Sequence, residues 1–360
     1  MNHQTPFDEF FVSLNFKCPV YFVATEDIFS LGFISRLLEW AVAPIPIKKS
    51  TQDLSAIKNI MQVVKEGGTI CIFPEGNRTY SGCTEYIKPA ITKLIKMTGL
   101  PVILMNIQGG YGKEPRWSTK SRKGKVTCTV KRIIEADEYK QMSPADFYNA
   151  VTQDLYINDT NSESSFKSKN RAEYAERLLY VCPVCGVSSF FSNGNIISCK
   201  KCGLSAEFTE KLKIKPCDSN QQILPYTTIK EWYDSQEHFI ENLNLQNYQD
   251  TPAFSEKVRL YKVRLYKKKI LIDKDCALDL FSNRYEIIYS SEKIIMNYDE
   301  VKAVSVLGRN KLNIYFKNEV FQIKSDKRFN AVKYLHFYHH YKNTKSERET
   351  KGDGHEFLGL

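Results

Sequence analysis

His3 and Asp8 stand five positions apart in His3-Gln4-Thr5-Pro6-Phe7-Asp8, near the start of the chain. An imidazole titrates near neutral pH, and a carboxylate on its other ring nitrogen fixes its tautomer, so such a pair suits a general base that activates a hydroxyl. A second cluster, Phe73-Pro74-Glu75-Gly76-Asn77-Arg78, sets a carboxylate and a guanidinium just beyond a short apolar run, residues 69–73. The carboxyl end of a strand is the usual ligand edge of an open α/β sheet, and Arg78 there is a natural anion clamp. The bland alternative is a surface ion pair beside a histidine cap.

Farther along stand Cys182-Pro183-Val184-Cys185-Gly186 and Cys199-Lys200-Lys201-Cys202-Gly203. Two C-x-x-C knuckles, each followed by glycine, predict a tetrahedral zinc site of the ribbon type held by Cys182, Cys185, Cys199 and Cys202. Four filled positions make that zinc structural, and it supplies folding energy to a module too small to fold on its own core. Two disulfides or a redox dithiol are the alternatives. The other cysteines are scattered through mostly apolar runs, which suits a reducing cytoplasm.

These residues need a scaffold, and its periodicity is readable. Leu54, Ile57, Ile60, Met61 and Val64 form a helical stripe, opened by a capping box at Ser50 and Asp53 and stopped by Gly67-Gly68. Strand 69–73, a helix over 87–95, strand 101–107 and a β-like run over 125–134 follow; Ser143-Pro144-Ala145-Asp146 opens a last helix. Alternating helix and strand predict an α/β domain, a sheet flanked by helices, over residues 1–157. Residues 158–177 read as a polar linker and 178–210 as the ribbon. Residues 228–243 carry Trp232, Phe239, Ile240 and Leu243 at helical spacing. Short β runs then fall at 258–266, 269–272, 285–289, 293–296, 301–306, 312–316 and 320–323, before a helix over 327–341. Residues 225–343 thus form a mostly β domain ending in a helix, with 344–360 a disordered tail. His336, His339 and His340 are read as packing or surface histidines rather than metal ligands.

The paired clusters resemble the glycerolipid acyltransferase family, typified by 1-acylglycerol-3-phosphate (lysophosphatidic acid) acyltransferases, over roughly residues 1–150. The hallmarks are an H-x4-D motif, here His3 and Asp8, and a later F-P-E-G-T-R-S motif, here residues 73–78 with Asn77 in place of the threonine. Gly99-Leu100-Pro101-Val102-Ile103 looks like the family's proline-containing block near the acyl site. Ile45-Pro46-Ile47-Lys48-Lys49 looks like its phosphate-contacting block, with Lys49 where an arginine is usual, a point charge in place of a bidentate fork. Thr25 stands where a lysine is common.

The resemblance implies an O-acyltransferase of phospholipid biosynthesis. His3, oriented by Asp8, would deprotonate the free hydroxyl of a lysophospholipid such as 1-acylglycerol-3-phosphate, which attacks an acyl thioester or acyl phosphate. Acyl-carrier protein, acyl-CoA and acyl phosphate are the possible donors. Arg78 and Lys49 would hold the acceptor phosphate, Glu75 would order that loop, Gly76 would join them among the substrate-binding residues, and Pro101 would border the acyl chain. The resemblance also implies a strand ahead of the H-x4-D motif. With His3 so near the first residue, the chain is expected to be a shortened form, less stable and less active than one extended upstream by an apolar β segment. The β-rich region resembles a pleckstrin-homology-like barrel only weakly.

The net charge of +10, from 51 basic and 41 acidic residues, favours an anionic partner. Lys113, Arg116, Lys120, Arg122, Lys123 and Lys125 around Trp117 read as a solvated loop near phosphates. Residues 28–42 read as a helix that packs on the sheet and dips into a bilayer. No apolar run reaches the roughly 20 residues that span a bilayer, and no signal pattern opens the chain. A cytoplasmic protein, peripheral at the inner face of an anionic membrane and not bound to nucleic acid, is expected. Two other classes compete: a catalytically impaired lipid-binding or regulatory protein, and a zinc-ribbon nucleic-acid-binding protein.

Overall fold

The computed structural model describes residues 1–25, 43–47, 54–217, 224–264, 268–290 and 292–350. Ser50, Asp53, Lys49 and the amphipathic stretch 28–42 lie outside them. The chain forms two compact units: residues 1–116, 121–168 and 210–212 in the first, and 117–120, 169–209 and 213 onward in the second. The ribbon and the β-rich region, expected as separate domains, therefore share one unit.

In the first unit, parallel strands β1 (Val20–Thr25), β2 (Ile45–Ile47) and β3 (Thr69–Cys71) pair in the order β2-β1-β3, with Val23 opposite Ile45 and Val20 opposite Thr69. Strand β4 (Val102–Gln108) pairs antiparallel with β5 (Thr127–Ile134). Helix α1 (Asp8–Ser13) follows the first cluster, and α2 (Leu54–Lys65), α3 (Ala90–Thr98), the single turn α4 (Gly110–Lys113), α5 (Ala136–Gln141) and α6 (Pro144–Leu155) complete the unit. The α6 start follows from Ser143, whose hydroxyl accepts from the Asp146 N–H at 3.1 Å, with Pro144 in the first turn. One core cluster joins Ile87, Leu104, Ile134, Tyr139, Phe147, Val151 and Leu155; a second joins Met1, Val12, Phe22, Met105 and Ile107 beneath the first polar cluster.

The stretch expected as a linker is packed in part. Asp159 and Phe166 are fully buried, the Phe166 N–H donates to the Glu210 carbonyl at 2.8 Å, and Lys167 bridges to Lys123. Serine and asparagine content suggested solvent, but here the short polar side chains close turns on their own backbone, as Asn158 does on the Thr160 N–H at 3.0 Å.

The second unit opens with the hairpin β6 (Val181–Cys182) and β7 (Gly186–Val187) and the antiparallel sheet β8 (Phe190–Asn193), β9 (Ile196–Cys199), β10 (Ser205–Phe208) and β11 (Ile214–Pro216). Helix α7 (Ile229–Glu241) starts at the N-cap Thr228, whose hydroxyl accepts from the Glu231 N–H, while the Glu231 carboxylate accepts from the N–H of Thr227 just ahead of the cap. A seven-stranded antiparallel sheet follows, of β12 (Phe254–Val263), β13 (Ile270–Leu280), β14 (Arg284–Tyr289), β15 (Glu292–Asn297), β16 (Val301–Leu307), β17 (Lys311–Phe316) and β18 (Glu319–Lys324), in the order β15-β14-β13-β12-β18-β17-β16. Helix α8 (Val332–Thr350) ends the description. It starts five residues later than expected, because Asn330 accepts from the Lys333 N–H at 3.1 Å, and it continues through 344–350, which were expected to be disordered.

Candidate active site and cysteine cluster

The first polar cluster is positioned by backbone rather than by a strand of its own. The Met1 nitrogen donates to the Ile72 carbonyl at 3.0 Å, and the Asn2 side chain exchanges two hydrogen bonds with the Ile107 backbone at 2.8 and 2.7 Å. Residues 1–2 are thereby fixed against the end of β3 on one side and of β4 on the other. His3 follows, its N–H donating to Glu75 Oε1 at 2.6 Å and its carbonyl accepting from the Thr79 N–H at 3.0 Å. Gln4 then accepts from the Gly110 and Tyr111 N–H groups of α4.

Within this frame His3 Nδ1 lies 2.8 Å from Asp8 Oδ2. Asp8 is fully buried, whereas the His3 side chain is 17% exposed. The Asp8 carboxylate also accepts from the Gln4 N–H at 2.6 Å, from the Thr5 N–H at 3.0 Å and from the Thr5 hydroxyl at 2.6 Å. These donors lock the acceptor that orients the ring, and Phe73 stacks on the imidazole with centroids 4.3 Å apart. With Nδ1 facing the carboxylate, the tautomer this network selects has Nδ1 protonated and Nε2 free to accept a proton.

Glu75 joins two segments of the chain. Its two oxygens accept from different segments, Oε1 from His3 and Oε2 from the Glu85 N–H at 2.7 Å, which ties the histidine's backbone to the loop after β3. Its burial pushes its pKa well above the ordinary value, opposed by those two backbone donors. Gly76 takes a left-handed φ of +67°, and its N–H donates to the Phe73 carbonyl, so it shapes the turn rather than offering its amide to a ligand.

Arg78 is half-buried, and its carbonyl accepts from Arg116 Nη1 at 2.7 Å. Arg116 is buried, with its guanidinium 3.9 Å from the centre of the Tyr80 ring, so it belongs to the interior of this loop and not to a solvated basic stretch. Trp117 and Arg122 are buried too, which overturns that expectation for the centre of the stretch; Lys120 and Lys123 are exposed. Charge in the sequence pointed outward; the Arg78 carbonyl that Arg116 serves lies 38 positions away in sequence. Glu9 was missed because nothing in its spacing marks it. Burial raises its pKa, while the nearby His3 and Arg78 charges act the other way, which places all three in one electrostatic neighbourhood.

Pro101 lies on the wall of an apolar cavity of about 410 Å³, shared with Met1, Cys71, Ile72, Pro74 and Met105. It opens in the same part of the unit as His3, two residues beyond Met1.

In the second unit, the Sγ atoms of Cys182, Cys185, Cys199 and Cys202 all lie within 4.8 Å of one another, with 3.5 Å between Cys182 and Cys202 and 3.6 Å between Cys185 and Cys199. Tetrahedral zinc at roughly 2.3 Å from each sulfur sets neighbouring sulfurs about 3.7 Å apart, so the donor set fits it. The distances exclude disulfides, and all ten cysteines are free thiols. Gly186 and Gly203 follow the knuckles at φ +73° and +78°, turning the backbone back over the sulfurs. His336 is not part of any such cluster: its ring bridges the Tyr180 and Tyr233 hydroxyls at 2.8 and 2.9 Å.

Comparison with known proteins follows the same division. The Acyltransferase family model matches residues 1–108. A 1-acyl-sn-glycerol-3-phosphate acyltransferase of Borreliella burgdorferi is 29% identical over 109 residues, 29% of this chain and 44% of that protein. The chloroplastic 1-acyl-sn-glycerol-3-phosphate acyltransferase BAT2 of Brassica napus is 26% identical over 109 residues, 30% of this chain and 31% of that protein. The matches thus span less than half the length of either relative. No helix among the described residues is long and apolar enough to cross a membrane. Over residues 1–108, then, the chain is similar to the Acyltransferase family.

Proposed function

We propose that the chain transfers an acyl group from an acyl thioester or acyl phosphate to the free hydroxyl of a lysophospholipid, 1-acylglycerol-3-phosphate being the first candidate. The observation that carries this reading is the His3–Asp8 pair, with a buried orienting carboxylate and a ring nitrogen left to accept a proton. His3 Nε2 takes the acceptor's hydroxyl proton as the oxygen attacks the acyl carbonyl. The tetrahedral intermediate collapses, and the imidazolium returns the proton to the departing thiolate or phosphate. Positioned proton transfer of this kind contributes on the order of 10²–10⁴-fold.

Arg78 is the residue proposed to hold the acceptor phosphate, with Lys49 as a second cation. Glu75 keeps His3 in place through its backbone, and the cavity beside Pro101 takes the acyl chain. Zinc held by Cys182, Cys185, Cys199 and Cys202 has no open position and stabilises its module without entering the reaction. Incubating the chain with 1-acylglycerol-3-phosphate and, in turn, acyl-CoA, acyl-carrier protein thioester and acyl phosphate, then analysing lipids by mass spectrometry, tests the reading. Diacylated product with at least one donor supports it; none with any donor refutes it.

A further inference from the structure

One buried carboxylate of the first unit takes no part in the proposed acyl transfer. Asp159 stands in the polar stretch after α6, beyond the residues that the family model matches, and is fully buried. Both of its carboxylate oxygens accept from the Gly109 N–H at 2.9 Å, and Oδ2 also accepts from the Tyr111 N–H at 3.2 Å. The Gly112 N–H and the Gln4 side-chain amide add to these donors. Burial raises the carboxyl to about 6 and the hydrogen bonds oppose that shift, so at neutral pH an ionised, acceptor-only group faces them. A carboxylate is expensive to bury unless donors of this kind hold it.

Gln4 carries the arrangement to the catalytic pair. Its amide nitrogen donates to Asp159, while its Oε1 accepts from the Gly110 N–H at 2.9 Å and the Tyr111 N–H at 3.3 Å. The fit is close: a Cβ on Gly110 would come within 2.6 Å of Gln4 Oε1 and 2.9 Å of Thr5 Cγ2. The Gln4 backbone N–H then donates at 2.6 Å to Asp8 Oδ2, the oxygen that lies 2.8 Å from His3 Nδ1. A second path runs through the other side of Asp159. Its N–H donates to the Gly82 carbonyl at 2.9 Å, the Gly82 N–H donates to the Thr79 hydroxyl at 3.0 Å, and the Thr79 N–H donates to the His3 carbonyl.

We propose that Asp159 is a positioning residue of the His3–Asp8 pair: through Gln4 on one side and Gly82 and Thr79 on the other, it fixes the backbone of residues 3–5 and so holds Asp8 on His3 Nδ1. Its effect on turnover rests on the acyl-transfer reading; its effect on the ring does not. Without the carboxylate, buried donors face one another, the Gln4 side chain leaves the α4 amides, and Asp8 loses the N–H that keeps Oδ2 on the ring. The imidazole then gives up its Nδ1–H tautomer for the Nε2–H form, which cannot accept a proton at Nε2.

Nitrogen NMR of the His3 ring reads the tautomer in the full chain, and turnover of 1-acylglycerol-3-phosphate is measured beside it at equal folded fraction. In Asp159→Asn the ratio of Nδ1–H to Nε2–H tautomer should fall at least about tenfold, with kcat about tenfold lower at little-changed KM, as for loss of a hydrogen bond to a charged group. Gln4→Met cuts the link while leaving Asp159 its backbone donors; it should have the same effect, and it decides the matter if Asp159→Asn does not fold. The swap of Gln4→Glu with Asp159→Asn again sets a carboxylate against an amide and should bring the ratio back to within about threefold, the mark of a coupled pair. Tyr148→Phe, which removes a hydrogen bond to the Ile87 carbonyl elsewhere in the unit, should leave ratio and kcat within about twofold. An unchanged ratio in Gln4→Met or in folded Asp159→Asn, no recovery in the swap, or an equal loss in Tyr148→Phe would overturn the proposal. If the unmodified chain transfers no acyl group, the acyl-transfer reading fails, and the ring spectra alone support or overturn the role of Asp159.

Discussion

His3 and Asp8 were legible because one tight turn leads from His3 into Asp8 at the start of α1, where five positions of spacing are enough to bring imidazole and carboxylate to 2.8 Å. Their supports were not, because each is a long-range contact to backbone. Glu75 reaches the His3 N–H across 72 positions, and Gln4 reaches the Gly110 N–H across 106. Backbone donors leave no mark in a sequence. Glu75→Gln tests the bracing role, since an amide offers one accepting oxygen where two N–H groups need two. Leaving a buried donor unpaired costs about 1–3 kcal/mol, and the account expects that loss of stability together with a lower kcat at little-changed KM, because His3 shifts while the substrate pocket stays. A lower melting temperature with unaltered kcat would reduce Glu75 to a purely structural residue.

At the scale of elements, apolar periodicity found most helices and strands, and capping chemistry decided where they began. Ser143 and Thr228 were read as helix starts, while the last helix was read from residue 327 and the capping role of Asn330 was passed over. Strand β13 was found only in part: Asp273, Lys274 and Asp275 interrupt its alternation, yet the backbone pairs on to Leu280. The cysteine knuckles were the most legible element, since spacing and the following glycines are the whole of the signal. Elemental analysis should find one zinc per chain. Cys182→Ser should release it and lower the melting temperature of the second unit, because metal binding free energy is folding free energy there. Natively purified protein without metal would refute the zinc assignment.

Across the whole molecule, the two units should respond to pH in opposite directions. Burial lowers His336 to about 3 and His339 to about 4, so the unfolded chain binds more protons below 6.5 and the second unit should lose stability as pH falls from 6.5 towards 4. Burial of Asp159 in the first unit holds its carboxyl at about 6; that raised value adds stability at low pH which is lost as pH rises through 6. Hydrogen exchange read peptide by peptide at pH 5 and 7 checks both signs, and slopes of the same sign in both units would contradict them. The central claim, that His3 is the base of an acyl transfer, is tested most directly by turnover of the intact chain on 1-acylglycerol-3-phosphate with its preferred donor, compared with His3→Ala at equal folded fraction. Turnover at least about 10²-fold slower in the variant is expected, the smallest loss consistent with removing a positioned base. A variant within about tenfold of the unmodified chain would contradict it, since that falls below what general-base catalysis supplies.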